Sequence, residues 1–269
     1  MMLKYIAPAV ALVITAAILP ASANLVSNGS FEEDGGDGQI GFNTFVTGWN
    51  VSNPPYSYVM VFGPGAADTT GAWGQYCGGP PGSCGPVKLW GPGDGANNGM
   101  PATSPDGGSY IAMNGDFQTS PIFQTVDGLV AGRAYDVTFW WATSQQQYHY
   151  GDTQQSITVS LGSERYTTPT YLNPSEGFTG WYKGLAQFTA ASTSETLSFL
   201  ASGGGSEPNP PFALLDGVSM TPVPEPSTWV TMIVGFAALV CAGLRSASRG
   251  DRVLAHRELA GPLSSDAAE

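Results

Sequence analysis

Aromatic side chains set among polar ones are the residues of this sequence best suited to contact a ligand. Tyr148 and Tyr150 lie in a Gln-rich loop after a predicted strand, Trp140 lies on the polar face of that strand, and Trp181 begins another strand. Aromatic rings stack on the apolar face of a sugar ring, while amides and carboxylates bind its hydroxyls. These four residues are therefore candidate ligand contacts.

Each of these aromatic residues also has a purely structural explanation. A neighbouring loop could bury Trp140, the Tyr/Gln run is typical of a polar hairpin tip, and Trp181 suits a hydrophobic core equally well. The sequence leaves both alternatives open.

A carboxylate on the last predicted strand raises a different question. Asp216 shares one face of that strand with Val218 and Met220, so it is predicted to point toward the core. A buried carboxylate needs a partner, for which backbone N–H groups are the simplest choice.

Motifs of catalysis are missing from the sequence. His149 is the one histidine of the predicted exported region, and neither G-x-S-x-G nor H-E-x-x-H occurs in the sequence. The sequence predicts a protein that is not an enzyme. A polysaccharide-acting enzyme with paired carboxylates is the alternative, because acidic residues are plentiful.

Composition favours one turn-rich β domain. The 269 residues include 36 Gly and 21 Pro, a proportion that disfavours a helical bundle. The formal net charge of −12 repels phosphate backbones, so we expect no nucleic-acid partner.

The amino-terminal 23 residues have the pattern of a secretory signal peptide. Lys4 precedes an apolar run, and Ala21 and Ala23 form an A-x-A site that predicts cleavage before Asn24. A retained membrane anchor is the alternative. In an oxidising compartment Cys77 and Cys84 would pair, although two free thiols or half a metal site are also consistent with their spacing.

The carboxyl-terminal part predicts a membrane anchor. A Pro-rich segment over residues 222–228 leads into an apolar stretch over residues 229–244, which is followed by a tail over residues 245–269 that contains several arginines. These arginines place the tail in the cytoplasm. A buried core helix is the alternative for the apolar stretch.

The order of these segments resembles the PEP-CTERM sorting signal of bacterial surface proteins, also known as an ice-binding-protein C-terminal motif. The matching residues are Pro224, Glu225 and Pro226, the apolar span, and then Arg245 and Arg249. The resemblance implies processing by an exosortase-type enzyme and delivery to the cell surface or an exopolysaccharide matrix. The chain differs from the family in its long tail after the arginines.

The region between these signals, residues 24–221, is predicted to be an all-β sandwich. Residues 133–142 alternate, with Tyr135, Val137, Phe139 and Trp141 on one face, and residues 109–115, 156–162 and 195–201 repeat the pattern. Residues 50–105 are dense in Gly, Pro and Asn and predict long loops with short strands.

Four segments of this region resemble the galactose-binding-domain-like jelly roll of secreted carbohydrate-binding modules. They are residues 24–32, 104–115, 123–142 and 212–221. The resemblance implies that the first and last strands pair and that a structural Ca²⁺ lies near their junction, held by Glu32 and Asp216. The alternative is that Asp216 accepts backbone hydrogen bonds and Glu32 is solvated.

Together these observations predict an exported, membrane-anchored surface protein with a non-catalytic jelly-roll domain that binds a carbohydrate such as an exopolysaccharide. A structural or adhesion protein of the matrix without a sugar site is the main alternative. The predicted partners are the membrane, an exosortase-type enzyme and a glycan.

Overall fold

The computed structural model describes residues 23–54, 56–75, 85–205, 210–224 and 233–238. The signal peptide up to Ser22, the cysteine pair, Glu225, Pro226 and both arginines of the sorting motif lie outside these residues. By the density of internal contacts the chain divides into two compact units, Met1–Val223 and Pro224–Glu269.

The first unit is built from β-strands, as the alternating sequence pattern predicts. Its strands within the described residues are β1 (Gly38–Gln39), β2 (Asn50–Val51), β3 (Val59–Phe62), β4 (Tyr110–Asn114), β5 (Ile122–Asp127), β6 (Ala134–Gln145), β7 (Thr153–Leu161), β8 (Glu164–Thr167), β9 (Tyr171–Asn173), β10 (Tyr182–Thr189), β11 (Ser194–Gly205) and β12 (Pro211–Pro222). A short 3₁₀ helix covers Pro92–Asp94.

The strands form two antiparallel sheets that pack as a sandwich. The first sheet has the order β1-β3-β4-β12-β6-β10, and the second has the order β2-β5-β11-β7-β8, with β9 paired to β7. Every strand pair is antiparallel. The predicted fold class, an all-β sandwich, is confirmed.

The main core lies between the sheets and follows the predicted alternation. Tyr135, Val137, Phe139 and Trp141 of β6 are all at most 2% exposed, whereas the intervening Trp140 is half-buried. The predicted inward residues of the other strands join the same core: Ile111, Met113, Ile157, Val159, Leu161, Leu197 and Phe199.

A second hydrophobic core lies on the outer face of the first sheet. Met60, Tyr110, Ala142 and Leu214, which alternate with residues of the main core, pack there against residues of the long segment that joins β3 to β4. We call residues 63–75 and 85–103 the cover segment. It contributes Ala66, Ala67, Ala72, Val87, Leu89 and Met100. These parts of the Gly/Pro-rich stretch thus pack as a layer on one face of the sandwich.

The two ends of the sandwich domain are hydrogen-bonded to each other. The N–H of Leu25 donates to the carbonyl of Met220 at 2.9 Å, and the N–H of Val218 donates to the carbonyl of Gly29 at 2.8 Å. The side chain of Asn24 accepts from the N–H groups of Val26 and Met220 at 3.0 and 2.9 Å. The amino-terminal segment therefore lies along the end of β12.

The second unit is described at Pro224 and over residues 233–238, and the latter are helical. Within the described part of the chain, no helix has the length and apolar character that crossing a membrane requires. Most of the predicted membrane segment, residues 229–244, lies outside that part.

Candidate functional site

Two of the predicted ligand contacts stand together at one end of the sandwich. Tyr148 and Tyr150, in the loop between β6 and β7, are 75% and 59% exposed. Their ring centroids lie 6.3 and 5.5 Å from that of Trp90, a residue of the cover segment that is itself buried. We call Trp90, Tyr148 and Tyr150 the aromatic platform. It presents two open rings supported by a third.

The loop that carries the tyrosines is held in a constrained conformation. Tyr148 has a φ of +67°, which is uncommon for a residue with a bulky side chain. The indole N–H of Trp90 donates to the carbonyl of His149 at 3.0 Å, and the N–H of Gln147 donates to the carbonyl of Lys88 at 2.8 Å. Backbone strain of this kind concentrates at binding and catalytic sites.

A cleft of about 350 Å³ is connected to the platform through Asn98, which lines the cleft and is hydrogen-bonded to Trp90. Its walls are residues 96–98 of the cover segment and residues 174–178, which follow β9. The side-chain amide of Asn98 donates both to the carbonyl of Trp90 at 2.8 Å and to the carbonyl of Glu176 at 2.9 Å. Asn98 therefore joins the platform to the far wall of the cleft.

Gln145, at the buried end of β6, positions both loops. Its side-chain amide N–H donates to the carbonyl of Gly151 at 2.9 Å, and its side-chain amide oxygen accepts from the backbone N–H of Glu176 at 2.7 Å. A second link runs from the N–H of Ser175 to the carboxylate of Asp152 at 3.1 Å. The tyrosine loop and the cleft wall are thus fixed to the same strand.

Glu176 is the acidic residue of the cleft wall. Like Tyr148, it is a non-glycine residue with a positive φ, here +59°. Its carboxylate has no hydrogen-bond or ion-pair partner among the described residues, where only its backbone is bound. This group is free to meet a ligand.

The other two predicted contacts lie elsewhere. Trp181 is half-buried in the second core, with its ring centroid 5.6 Å from Tyr110 and 6.3 Å from Phe178, so it supports the cleft wall from behind. Trp140 is half-buried on the outer face of β6, opposite Asp216 and Lys183, whose ammonium nitrogen lies 6.0 Å from the ring centroid. The structure therefore brings together Tyr148 and Tyr150 only.

Trp90, Asn98, Gln145 and Glu176 were not anticipated from the sequence as site residues. Trp90 and Asn98 belong to a Gly/Pro-rich segment without hydrophobic periodicity, and Glu176 follows a strand of only three residues. The one local signal is a tryptophan directly before the turn residues Gly91 and Pro92.

The predicted calcium ligands Glu32 and Asp216 lie elsewhere in the domain. The prediction that Asp216 shares a face with Val218 and Met220 is wrong, because a register shift in β12 places Asp216 opposite Trp140 while Val218 and Met220 pack in the main core.

Asp216 is fully buried; its carboxylate accepts from the N–H of Gly217 at 2.7 Å and from the hydroxyl of Ser104. Burial, together with the neighbouring carboxylates of Asp106 and Glu32, raises the pKa of Asp216 to about 8 against the lowering effect of those two hydrogen bonds. Three acidic residues therefore share one region.

Glu32 is exposed and accepts from the N–H of Ser109 at 3.0 Å. A Cβ on Gly108, whose φ is +59°, would overlap the Glu32 carboxylate, so this close approach requires glycine. The nearby side-chain donors are all oxygens, which suit a hard cation such as Ca²⁺. Among the described residues no group of three or more His, Cys, Asp or Glu side chains is arranged to hold a metal ion.

No protein-family model matches the chain. No curated protein matches it either. Its similarity is to solved structures of low sequence identity. TmCBM61, solved in complex with β-1,4-galactotriose, has 18% identity and a TM-score of 0.37, and the alignment covers 75% of this chain and 100% of that one.

Two further solved domains are similar over most of their length. The CBM22-1 xylan-binding domain from Paenibacillus barcinonensis has 12% identity and a TM-score of 0.35, over 76% of this chain and 97% of that chain. The K1 cleaved adhesin domain of Lys-gingipain from Porphyromonas gingivalis has 13% identity and a TM-score of 0.36, over 72% and 96%. Carbohydrate-binding modules are thus among the structural neighbours of the sandwich.

Proposed function

We propose that the sandwich is a jelly-roll domain that binds carbohydrate at the aromatic platform and the adjoining cleft. The observation that carries this proposal is the pair of exposed rings, Tyr148 and Tyr150, supported by Trp90 at the edge of a cleft.

The chemistry of the two parts is complementary. Aromatic faces stack on the C–H face of a pyranose, and Asn97, Ser175 and Glu176 supply polar groups for its hydroxyls. A volume of about 350 Å³ is near the lower end of the range of about 300–1,000 Å³ for small-molecule sites. The cleft therefore suits a short stretch of a longer glycan.

Alanine substitution of the two tyrosines tests this proposal. We expect Tyr148→Ala and Tyr150→Ala each to weaken retardation of the full chain in gels containing soluble polysaccharides by about tenfold, because each removes a stacking surface. Tyr56→Ala is the matched control, since Tyr56 is 54% exposed at another place on the domain. Equal retardation of all three variants and the parent would contradict the proposal.

We also propose that the domain binds its glycan without cleaving it. The expected result is that polysaccharides incubated with the full chain release no reducing ends above the background of a heat-denatured sample. Release that disappears with Glu176→Gln would instead indicate hydrolysis at the cleft.

A structural Ca²⁺ is part of this proposal. Glu32 and Asp216 would hold the ion, and Asp106 is the nearest further carboxylate. The support is the group of carboxylates around a buried Asp216, whose charge is unfavourable without a nearby cation. The ion would stabilise the junction between the amino-terminal segment and β12 and would take no part in glycan contact.

Finally, we propose that the protein is exported, anchored in the membrane with its tail in the cytoplasm, and then released to the surface or matrix by an exosortase-type enzyme. The support is the sequence order of signal peptide, PEP motif, apolar span and arginines. The contacts of Asn24 also support cleavage before that residue, because its side chain is bound to the domain.

Intact mass and fractionation in cells with and without the processing enzyme test this sorting. The expected product begins at Asn24, ends near Pro224 and leaves the membrane only when the enzyme is present. A chain that retains Glu269 in both strains would contradict processing.

A further inference from the structure

The electrostatic character of the cleft points to the chemical class of its glycan. We propose that the bound glycan carries free amino groups, as in a polymer that contains β-1,4-linked glucosamine. This inference rests on the carbohydrate-binding function proposed above and goes beyond it by naming the substituent that is recognised.

The first observation is the sign of the charges around the site. Glu176 lies in the cleft wall, Asp152 follows Tyr150 by two residues and is bound to the same wall, and Asp94 precedes the lining residue Ala96 by two residues. The residues that line the cleft include no Lys and no Arg. A carboxylate or sulfate on a glycan would therefore meet like charges.

The second observation is that several acceptors around the cleft lack a partner, as does one buried donor behind its wall, the indole N–H of Trp181. The Glu176 carboxylate has no partner among the described residues, and one carboxylate oxygen of Asp94 is buried without a partner. Asn173 is fully buried, and its unpartnered amide oxygen lies 2.7 Å from where a Cβ of Gly177 would stand. Gly177 itself lines the cleft.

The amide donors that join the walls of the cleft are already engaged, whereas the side-chain amide of Asn97 and the hydroxyl of Ser175 remain for the hydroxyl groups of the sugar. The side-chain N–H groups of Asn98 are bound to the carbonyls of Trp90 and Glu176, and those of Gln145 and Asn173 donate to the carbonyls of Gly151 and Gly177. An ammonium group brings three donors and no acceptor. It matches such a site better than an acetamide or a hydroxyl, each of which also brings an acceptor.

The third observation is the platform. A cation within about 6 Å of a Trp or Tyr ring face is attracted by the quadrupole of the ring. The loop that carries Tyr148 and Tyr150 is bound to the acidic wall through Asp152 and Ser175, so we expect an amino sugar chain that stacks on a tyrosine ring to extend toward Glu176.

The charge of the whole domain acts in the same direction. Residues 24–223 contain 16 acidic and 4 basic side chains, a net charge of 4 − 16 = −12. A field of this sign raises the local concentration of a polycation and lowers that of a polyanion.

Three tetrasaccharides that differ only at C2 test the inference: the β-1,4 tetramers of glucosamine, N-acetylglucosamine and glucose. We expect calorimetry with the full chain to give about tenfold tighter binding of the glucosamine tetramer than of the other two at about 0.05 M salt, with a smaller preference at about 0.5 M.

Glu176→Gln tests whether the Glu176 carboxylate recognises the ammonium group of the glycan. It is expected to reduce affinity for the glucosamine tetramer about fivefold to tenfold and to change affinity for the glucose tetramer less than about twofold. Asp127→Asn is the control for net charge, because it removes one negative charge from an exposed position at the end of β5 and is expected to change neither affinity.

The outcomes separate this inference from the function on which it rests. Equal binding of the three tetramers, preference for the glucose or N-acetylglucosamine tetramer, or an unchanged preference in Glu176→Gln overturns the amino-sugar inference and leaves carbohydrate binding intact. A failure of all three tetramers and of soluble polysaccharides to bind overturns both.

Discussion

Substitution of Gly177 by alanine tests whether the loop over residues 174–178 determines the shape of the cleft. A Cβ at this position would lie 2.5 Å from the carbonyl oxygen of Pro174 and 2.7 Å from the amide oxygen of Asn173. Ordinary van der Waals contact begins at 3.4 Å, so the loop must move by about 0.9 Å, the difference between 3.4 and 2.5.

Such a movement affects binding more than folding. Overpacking costs about 1–3 kcal/mol, and the lower entropy of alanine in the unfolded chain offsets about 0.4–1 kcal/mol. We therefore expect Gly177→Ala to lower the free energy of unfolding by about 1–2 kcal/mol. The same movement strains the hydrogen bonds from Glu176 to Gln145 and from Ser175 to Asp152, so the tyrosine loop loses its fixed position and glycan affinity falls by about tenfold or more.

The assay is calorimetric glycan binding together with urea unfolding of the full chain. Gly204→Ala is the matched control, because its Cβ would meet nothing within 4 Å and its φ is not positive. If Gly177→Ala binds glycan with unchanged affinity, the loop does not shape the site and the assignment of the cleft is wrong. A loss of affinity equal to that of Gly204→Ala would have the same meaning.

Three further predictions concern other parts of the domain. In calcium-free buffer the pKa of Asp216 is raised from 3.8 to about 8 in the folded state. Between these pH values the folded state keeps a proton that the unfolded chain releases. The free energy of unfolding should therefore fall by at most about 1.4 kcal/mol per pH unit as pH rises. Urea unfolding across pH should show that slope, and either added Ca²⁺ or Asp216→Asn should flatten it; a slope that Ca²⁺ leaves unchanged would contradict the calcium proposal. Tyr135→Phe should lower the free energy of unfolding by about 1 kcal/mol, because the Tyr135 hydroxyl accepts from the N–H of Val130 at 2.8 Å; no change in thermal unfolding would mean that water replaces this bond fully. Trp140→Ala should leave glycan affinity within about twofold of the parent, since Trp140 lies opposite Asp216 and away from the platform; a large loss in calorimetry would move the binding site to the face of β6.

The strands were predictable because their residues obey a local rule. In β6 the alternation of Tyr135, Val137, Phe139 and Trp141 with polar residues fixes both the strand and its buried face. The sequence also placed Tyr148 and Tyr150 in an exposed loop, where the structure has them.

The partners of these residues were not predictable, because they depend on contacts between distant parts of the chain. Trp90 reaches the carbonyl of His149 across 59 positions, and Ser104 reaches Asp216 across 112. Nothing in the local pattern of the cover segment, residues 63–75 and 85–103, indicates that it packs as a layer, because its apolar residues are separated irregularly by Gly and Pro. Whether Trp181 faces solvent or core was undetermined for the same reason.

The position of β12 has a consequence for the order in which the chain can fold. This strand, the last of the domain, lies between β4 and β6 near the centre of the first sheet, and its end binds the amino-terminal segment. During synthesis from the amino terminus, β4 and β6 are made before the strand that lies between them. Until that strand is made, the backbone groups along their facing edges are unpaired. The sandwich therefore closes only when Pro211–Pro222 becomes available, and until then the unpaired edges of β4 and β6 are open to pairing with other chains.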